Sequence, residues 1–312
     1  MVLLQYANRR LELAGDRRGA VSGTIVNDQN FLGSNRLVQG AADRLAQKVG
    51  SVVRRDNQAN IVATHFSGPF VVLRFGEEIP GWFFPRSSAI WDCLLSLQRD
   101  EAIAGNLLEI GVWRGKSALL TAMHARRDEL CLFVDPVLHA TTESLLQEST
   151  DAECQFVREM SVALHRSPLL VSHARTFRWI HIDGEHSGTM VYEDLKIGCQ
   201  LLSETGILVV DDFFNPIWPQ ITKAAFDFSA RHDRELALFL CGDNKGYFCR
   251  PRHMSIYMTY IRQQMFDDMQ ARGEGDISIC KTTVPDDMNC FGIVNRFKDR
   301  DYVGPDWDID SA

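Results

Sequence analysis

Leu107-Leu108-Glu109-Ile110-Gly111-Val112-Trp113-Arg114-Gly115-Lys116-Ser117 decides how this chain is read. An apolar run stops at an acid. A glycine-rich bend follows, and a helical pattern (Ala118, Leu119, Ala122, Met123) begins at once. Such a stretch predicts a buried strand feeding a helix through a tight turn. Glycine suits that turn because it lacks a Cβ. The turn is expected to let the backbone come close to a ligand, with the first N–H groups of the helix facing a polar or anionic group.

Working outward, strands and helices alternate. Leu107–Ile110 reads as strand one and 115–126 as a helix. Leu130–Val134 reads as strand two, ending at Asp135, and 141–164 as helix. Leu169–Val171 reads as strand three. Phe177–Ile182, strand four, ends at Asp183. A helix over 188–202 precedes Ile207–Val210, strand five, which ends at Asp211-Asp212. Another helix covers 217–230. Glu235–Leu240 and Tyr247–Cys249 form an expected antiparallel pair around a glycine-bounded turn. The alternation predicts an α/β fold: a doubly wound, mostly parallel, Rossmann-like sheet with ligands at the carboxyl ends of its strands. Residues 1–78 read as an N-terminal extension, with a helix at Leu37–Val49 and strands within 60–75. Residues 79–252 read as the core, and 253–312 as a Met- and Tyr-rich helix with an irregular tail.

Composition narrows the function classes. The 312 residues are 45% hydrophobic and 24% charged, as in ordinary globular proteins. No apolar run has membrane-spanning length, and the first residues lack a signal-peptide pattern. Eight scattered cysteines without a C-x-x-C pair read as reduced thiols of a cytoplasmic protein. The net charge of −8 is uneven: residues 1–60 carry nine Lys/Arg and five Asp/Glu, and the rest 24 and 36. An acidic body argues against nucleic acid. The basic arm has the charge to contact an acidic neighbouring subunit in a homo-oligomer.

Three ligand classes use a turn like the one after Ile110. A dinucleotide site wants G-x-G-x-x-G, and a phosphate-binding P-loop wants four residues between its glycines. Here three separate Gly111 from Gly115. The pattern E-x-G-x-x-x-G-x-S resembles the first motif of class I S-adenosylmethionine (SAM)-dependent methyltransferases. That resemblance implies a SAM pocket built from Glu109, Gly111, Trp113, Gly115 and Ser117. Glu109 would face the methionine ammonium, directly or through the turn. Asp135 would accept from the ribose diol, and Ser172 and His173, after strand three, would contact adenine.

Asp183, Asp211 and Asp212 end neighbouring parallel strands, so three carboxylates converge. They repel unless a proton or a cation intervenes. All-oxygen ligands suit Mg²⁺, with Mn²⁺ or Ca²⁺ as alternatives. These segments resemble the metal-dependent O-methyltransferases of the catechol type and, more closely, of the macrolide-sugar and aminocoumarin-tailoring type. The resemblance covers about 105–250. It implies a metal held by Asp183, Asp211 and Asp212, His186 as general base, and a small hydroxylated acceptor such as a sugar or other natural product. The plainer alternatives have Asp211-Asp212 and His186 capping the helices that follow. At the level of function they are a non-catalytic subunit that keeps the fold, or a P-loop-like nucleotide-binding protein.

Overall fold

The computed structural model describes residues 79–232, 235–281 and 290–304. The expected N-terminal arm, its helix and its strands lie outside the described residues, as does 305–312. The described chain opens with helix α1 (Pro85–Asp100), started by Pro85 at its first turn. Then come β1 (Asn106–Ile110), α2 (Lys116–Met123), β2 (Leu130–Val134), α3 (Ala140–Glu148) and β3 (Glu153–Val157). A 3₁₀ turn at Ser161–Arg166 leads to the one-turn helix α4 (Pro168–Ser172). Then follow β4 (Phe177–Ile182), α5 (Gly188–Leu201), β5 (Leu202–Val210), α6 (Pro219–Arg231), β6 (Ala237–Gly242) and β7 (Lys245–Cys249). Helices α7 (Met254–Gln263) and α8 (Met265–Ala271) precede β8 (Ile277–Lys281), β9 (Phe291–Asn295) and β10 (Tyr302–Val303).

All ten strands form one sheet in the order β10-β8-β9-β6-β7-β5-β4-β1-β2-β3. β3, β2, β1, β4 and β5 are parallel, and β7 runs antiparallel to both β5 and β6. Because side chains alternate along each strand, the sheet carries two apolar faces. Leu107, Trp179 and Val209 pack under α1, α2, α7 and α8. Leu108, Ile180 and Leu208 pack under α5 and α6. The doubly wound prediction and the antiparallel β6–β7 pair agree with this arrangement.

Three expectations need correction. The third strand is Glu153–Val157, not Leu169–Val171. Glu153–Val157 is the edge of the sheet and only half buried, so its pattern blends into the helical spacing before it. The run Leu169–Val171 instead follows Pro168 and the Ser167 cap, whose Oγ accepts from Leu169 N–H at 3.2 Å, and that pair starts a helix. The single Met- and Tyr-rich helix expected at the start of 253–312 breaks at Gln264. The tail is not irregular: β8, β9 and β10 extend the same sheet, with β9 parallel to β6. The boundary placed at 252 therefore does not divide the sheet.

Candidate active site

The register brings Val134, Ile110, Ile182 and Val210 into one row across four strands. The next residue on each strand is Asp135, Gly111, Asp183 and Asp211. Backbone bonds hold these ends in step: Gly111 N–H donates to Val134 O (2.9 Å), Asp183 N–H to Ile110 O (2.8 Å) and Asp211 N–H to Ile182 O (3.0 Å). A cavity of about 860 Å³ opens over this row. Gly111, Trp113, Ser117 and Asp135 line one end, and Asp183, His186, Asp211 and Asp212 the other.

At the first end, Gly111 and Gly115 both have left-handed φ (86° and 84°). A Cβ on Gly111 would fall 1.8 Å from the Asp183 carbonyl oxygen, and one on Gly115 2.8 Å from Thr142 Cγ2. The glycines thus permit close contact within the protein, where a close approach to ligand was expected. Gly115 is not on the cavity wall. Asp135 Oδ2 accepts the N–H groups of Val112 (2.9 Å) and Trp113 (2.7 Å), and Oδ1 accepts that of Val137 (2.7 Å). A carboxylate has about four acceptor sites. Asp135 therefore pins the glycine turn and keeps about one site for a ribose hydroxyl, where two were expected.

Glu109 is wholly buried and does not reach the cavity. It accepts from the Ser117 hydroxyl and from Thr121 Oγ1 (3.3 Å). This burial corrects the expected direct contact with an ammonium group and leaves only the indirect route through Ser117. Ser172 and His173 also need correction. They end α4 beside the start of β4, at the amino ends of the strands and away from the cavity, and hydrogen-bond each other at 2.8 Å. With strand three shifted to Glu153–Val157, the residues that face the cavity after it are Met160 and Ser161.

At the second end, the buried His181 places Nε2 3.3 Å from Asp211 Oδ2 and Nδ1 3.1 Å from Glu109 Oε1. The Glu109 approach is at ion-pair distance but off the line of a hydrogen bond. Burial alone would lower the His181 pKa; Glu109 and Asp211 outweigh it and hold it up to about 9. Lys245 Nζ lies 2.5 Å from Asp211 Oδ2. Burial would raise the Asp211 pKa, but Lys245 and His181 drive it well below the carboxylate range. Asp183 stands differently. Among the described residues its side chain has no hydrogen-bond partner, and burial, then Asp211, pushes its pKa up to about 8.

Asp212, in a left-handed turn (φ 52°), accepts from Asn215 Nδ2 and Asn244 Nδ2, each at 2.6 Å. His186 Nε2 lies 2.8 Å from Asp212 Oδ2, and His186 Nδ1 2.9 Å from the Gly184 carbonyl. Both ring nitrogens face acceptors, so both carry protons. The Asp212 bond is the main cause that raises the His186 pKa to about 9. The capping alternatives fail. Ser187 caps α5, accepting from Met190 N–H at 3.4 Å, and α6 starts at Trp218-Pro219 with no side-chain cap.

Ligand atoms of Asp183, His186 and Asp212 lie within 4.8 Å of one another, as do those of His181, Asp183 and Asp211. An unpartnered, desolvated carboxylate that shares one cluster with Asp211 and another with Asp212 fits a hard cation. Sequence reasoning missed Lys245, Asn215 and Asn244. Asn244 and Lys245 sit at the β6–β7 turn, which reads from sequence only as turn chemistry.

Residues 108–213 match a family described as a methyltransferase domain. No curated protein matches the chain. Among solved structures, the MycE methyltransferase of the mycinamycin biosynthetic pathway, in complex with Mg and SAH, is 14% identical. The match covers 75% of this chain and 66% of MycE, with a TM-score of 0.46. The O-methyltransferase NovP is 16% identical over 53% of this chain and 80% of its own (TM-score 0.42). A protein from Corynebacterium glutamicum is 14% identical over 67% and 97% (TM-score 0.44). The segment 108–213, which carries strands β1 to β5 and most of the cavity at their ends, is thus similar to a methyltransferase domain.

Proposed function

We propose that this protein is a SAM- and Mg²⁺-dependent O-methyltransferase acting on a hydroxyl of a small sugar or natural-product acceptor. One observation carries the reading: the unpartnered Asp183 shares one cluster of ligand atoms with Asp211 and another with Asp212, in the same cavity as the Gly111 turn. Asp183, Asp211 and Asp212 would hold the cation, which supplies electrostatic stabilisation of the acceptor's alkoxide. Gly111, Trp113, Ser117 and Asp135 would hold SAM, whose sulfonium supplies the methyl group.

The chain's own groups prepare this chemistry. Lys245 and His181 keep Asp211 ionised and fixed. Asn215 and Asn244 orient Asp212. His186 is the proton acceptor in this reading, and it can accept only when Asp212 no longer takes its Nε2 proton. The aligned strand ends would bring donor and acceptor together, the positioning that an in-line displacement needs.

The test measures three quantities on the purified full chain: S-adenosylhomocysteine affinity by calorimetry, bound metal by mass spectrometry, and methyl transfer to hydroxylated acceptors before and after chelation. Chelation should abolish transfer and Mg²⁺ restore it, with cofactor affinity little changed. Full transfer by metal-free protein would refute the metal assignment. His186→Gln should keep cofactor and metal affinity while kcat falls by about 10²–10⁴-fold. Cofactor binding without turnover on any acceptor would favour the non-catalytic subunit.

A further inference from the structure

Two cysteines that stand 49 residues apart in sequence meet where β9 joins β6. Cys241, in β6, and Cys290, one residue before β9, place their Sγ atoms 3.8 Å apart. β9 runs parallel to β6, with Cys241 opposite Gly292. Cys290 precedes Gly292 by two residues, so both side chains leave the same face of the sheet. They pack at the margin of the apolar cluster under α5 and α6, and each is half-buried rather than sealed in the core.

The sulfurs have room to close. A disulfide brings them to about 2.0 Å. On the two strands beside Cys241 the opposite residues are Gly246 in β7 and Gly292 in β9, and neither has a side chain to compete for the space. Cys131 and Cys154 lack this geometry. They face each other in register on the parallel pair β2–β3, and Cys131 is wholly buried. In-register neighbours hold their Cβ atoms about 4.8 Å apart, wider than the roughly 3.5–4.5 Å that a disulfide spans. The thiols of Cys241 and Cys290 are also unequal. Contact with Cys241 lowers the pKa of Cys290, and the same contact, with burial, raises that of Cys241. Cys290 is therefore the better nucleophile, and Cys241 stands beside it to resolve a mixed disulfide.

From Cys241 the chain runs into the turn Asp243-Asn244-Lys245, which supports the acids of the cavity. Asn244 holds Asp212 and Lys245 holds Asp211. The Asn244 carbonyl accepts from Phe213 N–H at 2.9 Å, and Asp243 accepts from Ser87 N–H at 2.8 Å, at the start of α1. We propose that Cys241 and Cys290 are a reversible oxidation site, whose disulfide ties β9 to β6 and stiffens the turn beyond. The oxidant is a low-molecular-weight disulfide such as oxidised glutathione. The Cys290 thiolate attacks one sulfur of the oxidant, the S–S bond breaks, and one thiolate leaves. Cys241 passes its proton to that thiolate and attacks Cys290 Sγ, which expels the second thiolate. The latter takes up the proton that Cys290 had lost to solvent. The cysteine pair thus loses two electrons and two protons, and the oxidant is reduced to two thiols.

The test treats the reduced full chain with oxidised glutathione and needs no methyl donor or acceptor. Mass spectrometry should find a Cys241–Cys290 linked peptide that has lost two hydrogens, with no glutathione on either cysteine. The thermal midpoint should rise by roughly 4–8 °C. Amide exchange in β9 and at Phe213 should slow about ten-fold. Dithiothreitol should reverse all three changes. Cys241→Ala should retain one glutathione on Cys290, and Cys290→Ala should leave Cys241 unmodified; neither variant should show the rise in midpoint. A pair that stays reduced, glutathione kept on both cysteines, or a link from Cys290 to Cys280, which faces Gly292 from β8, would overturn the proposal. So would a midpoint or an exchange rate that oxidation leaves unmoved, or a rise that persists in Cys241→Ala. Should the variants fail to fold, peptide mapping and exchange on the unaltered chain decide alone.

Discussion

His181 Nδ1 lies 3.1 Å from Glu109 Oε1 at the centre of the sheet, and the other nitrogen of the same ring approaches Asp211. One fully buried cation therefore bridges the acid of the glycine-turn motif and an acid of the candidate metal site. Trp91 closes it from above, its ring edge-on at 4.6 Å. The two ends of the cavity share this support: Glu109 also accepts from Ser117 on the cofactor side, and Asp211 also pairs with Lys245.

Removing that cation should be costly. His181→Leu leaves Glu109 buried without its counter-charge, and breaking a buried pair from one side costs about 3–5 kcal/mol. Urea unfolding should show a loss of that size. His181→Gln keeps one donor and should lose less. A leucine variant of wild-type stability would mean that water fills the gap.

Asp183 should trade stability for function. Its folded pKa of about 8 lies above its ordinary value of 3.8. Between those values the unfolded chain has released the proton and the folded chain retains it, so stability falls as pH rises from about 4 to about 8. Asp183→Asn should thus make the chelated protein more stable at pH 7, by roughly 2–4 kcal/mol, with the gain vanishing near pH 4. The same variant should lose metal-dependent transfer. Denaturant unfolding at both pH values checks the sign.

On the proposed reading, Asp135 would link the cofactor to the turn after β1. Asp135→Ala should weaken S-adenosylhomocysteine by about 1.5–3 kcal/mol, as for charge-assisted hydrogen bonds. It should also free the Val112 and Trp113 N–H groups, seen as faster amide exchange at those two positions. Unchanged affinity with faster exchange would assign Asp135 to the turn alone.

Far from the cavity, Asp92 on α1 accepts from His124 (2.7 Å) and lies 2.5 Å from Arg272. Burial would raise its pKa; His124 and Arg272 outweigh it and hold it down to about 2. A depressed carboxyl stabilises above its unfolded pKa. The contribution, about 2 kcal/mol, should be present at pH 7 and lost as pH falls from about 4 to 2. Asp92→Asn should remove it at pH 7 and change little at pH 2, read from unfolding midpoints.

The sequence revealed the site where backbone pattern and chemistry coincide. Asp135 and Asp183 each follow a fully buried strand, and Asp211 follows the buried second half of β5, so strand ends and acids were legible together. Strand three was not, because an edge strand buries only one side and loses the apolar run that identifies its neighbours. That slip misplaced Ser172 and His173. Glu109 and His181 were both visible as residues, but their pairing depends on register between β1 and β4, which no local pattern encodes. Lys245 was hidden for a similar reason: a hairpin brings it back over β5.

The missing Cβ of Gly111 has a wider meaning. The turn after β1 and the carbonyl of Asp183 stand closer than any side chain permits: a Cβ at 111 would fall 1.8 Å from the carbonyl oxygen. In the proposed reaction, the gap between methyl donor and receiving hydroxyl would thereby be gauged by main chain against main chain. Rim residues such as Ile217 and Trp218 stand outside that gauge. On that reading, the mouth could be recut for a new acceptor without disturbing the stroke length of the transfer, whereas any residue larger than glycine at 111 would reset it for every acceptor at once.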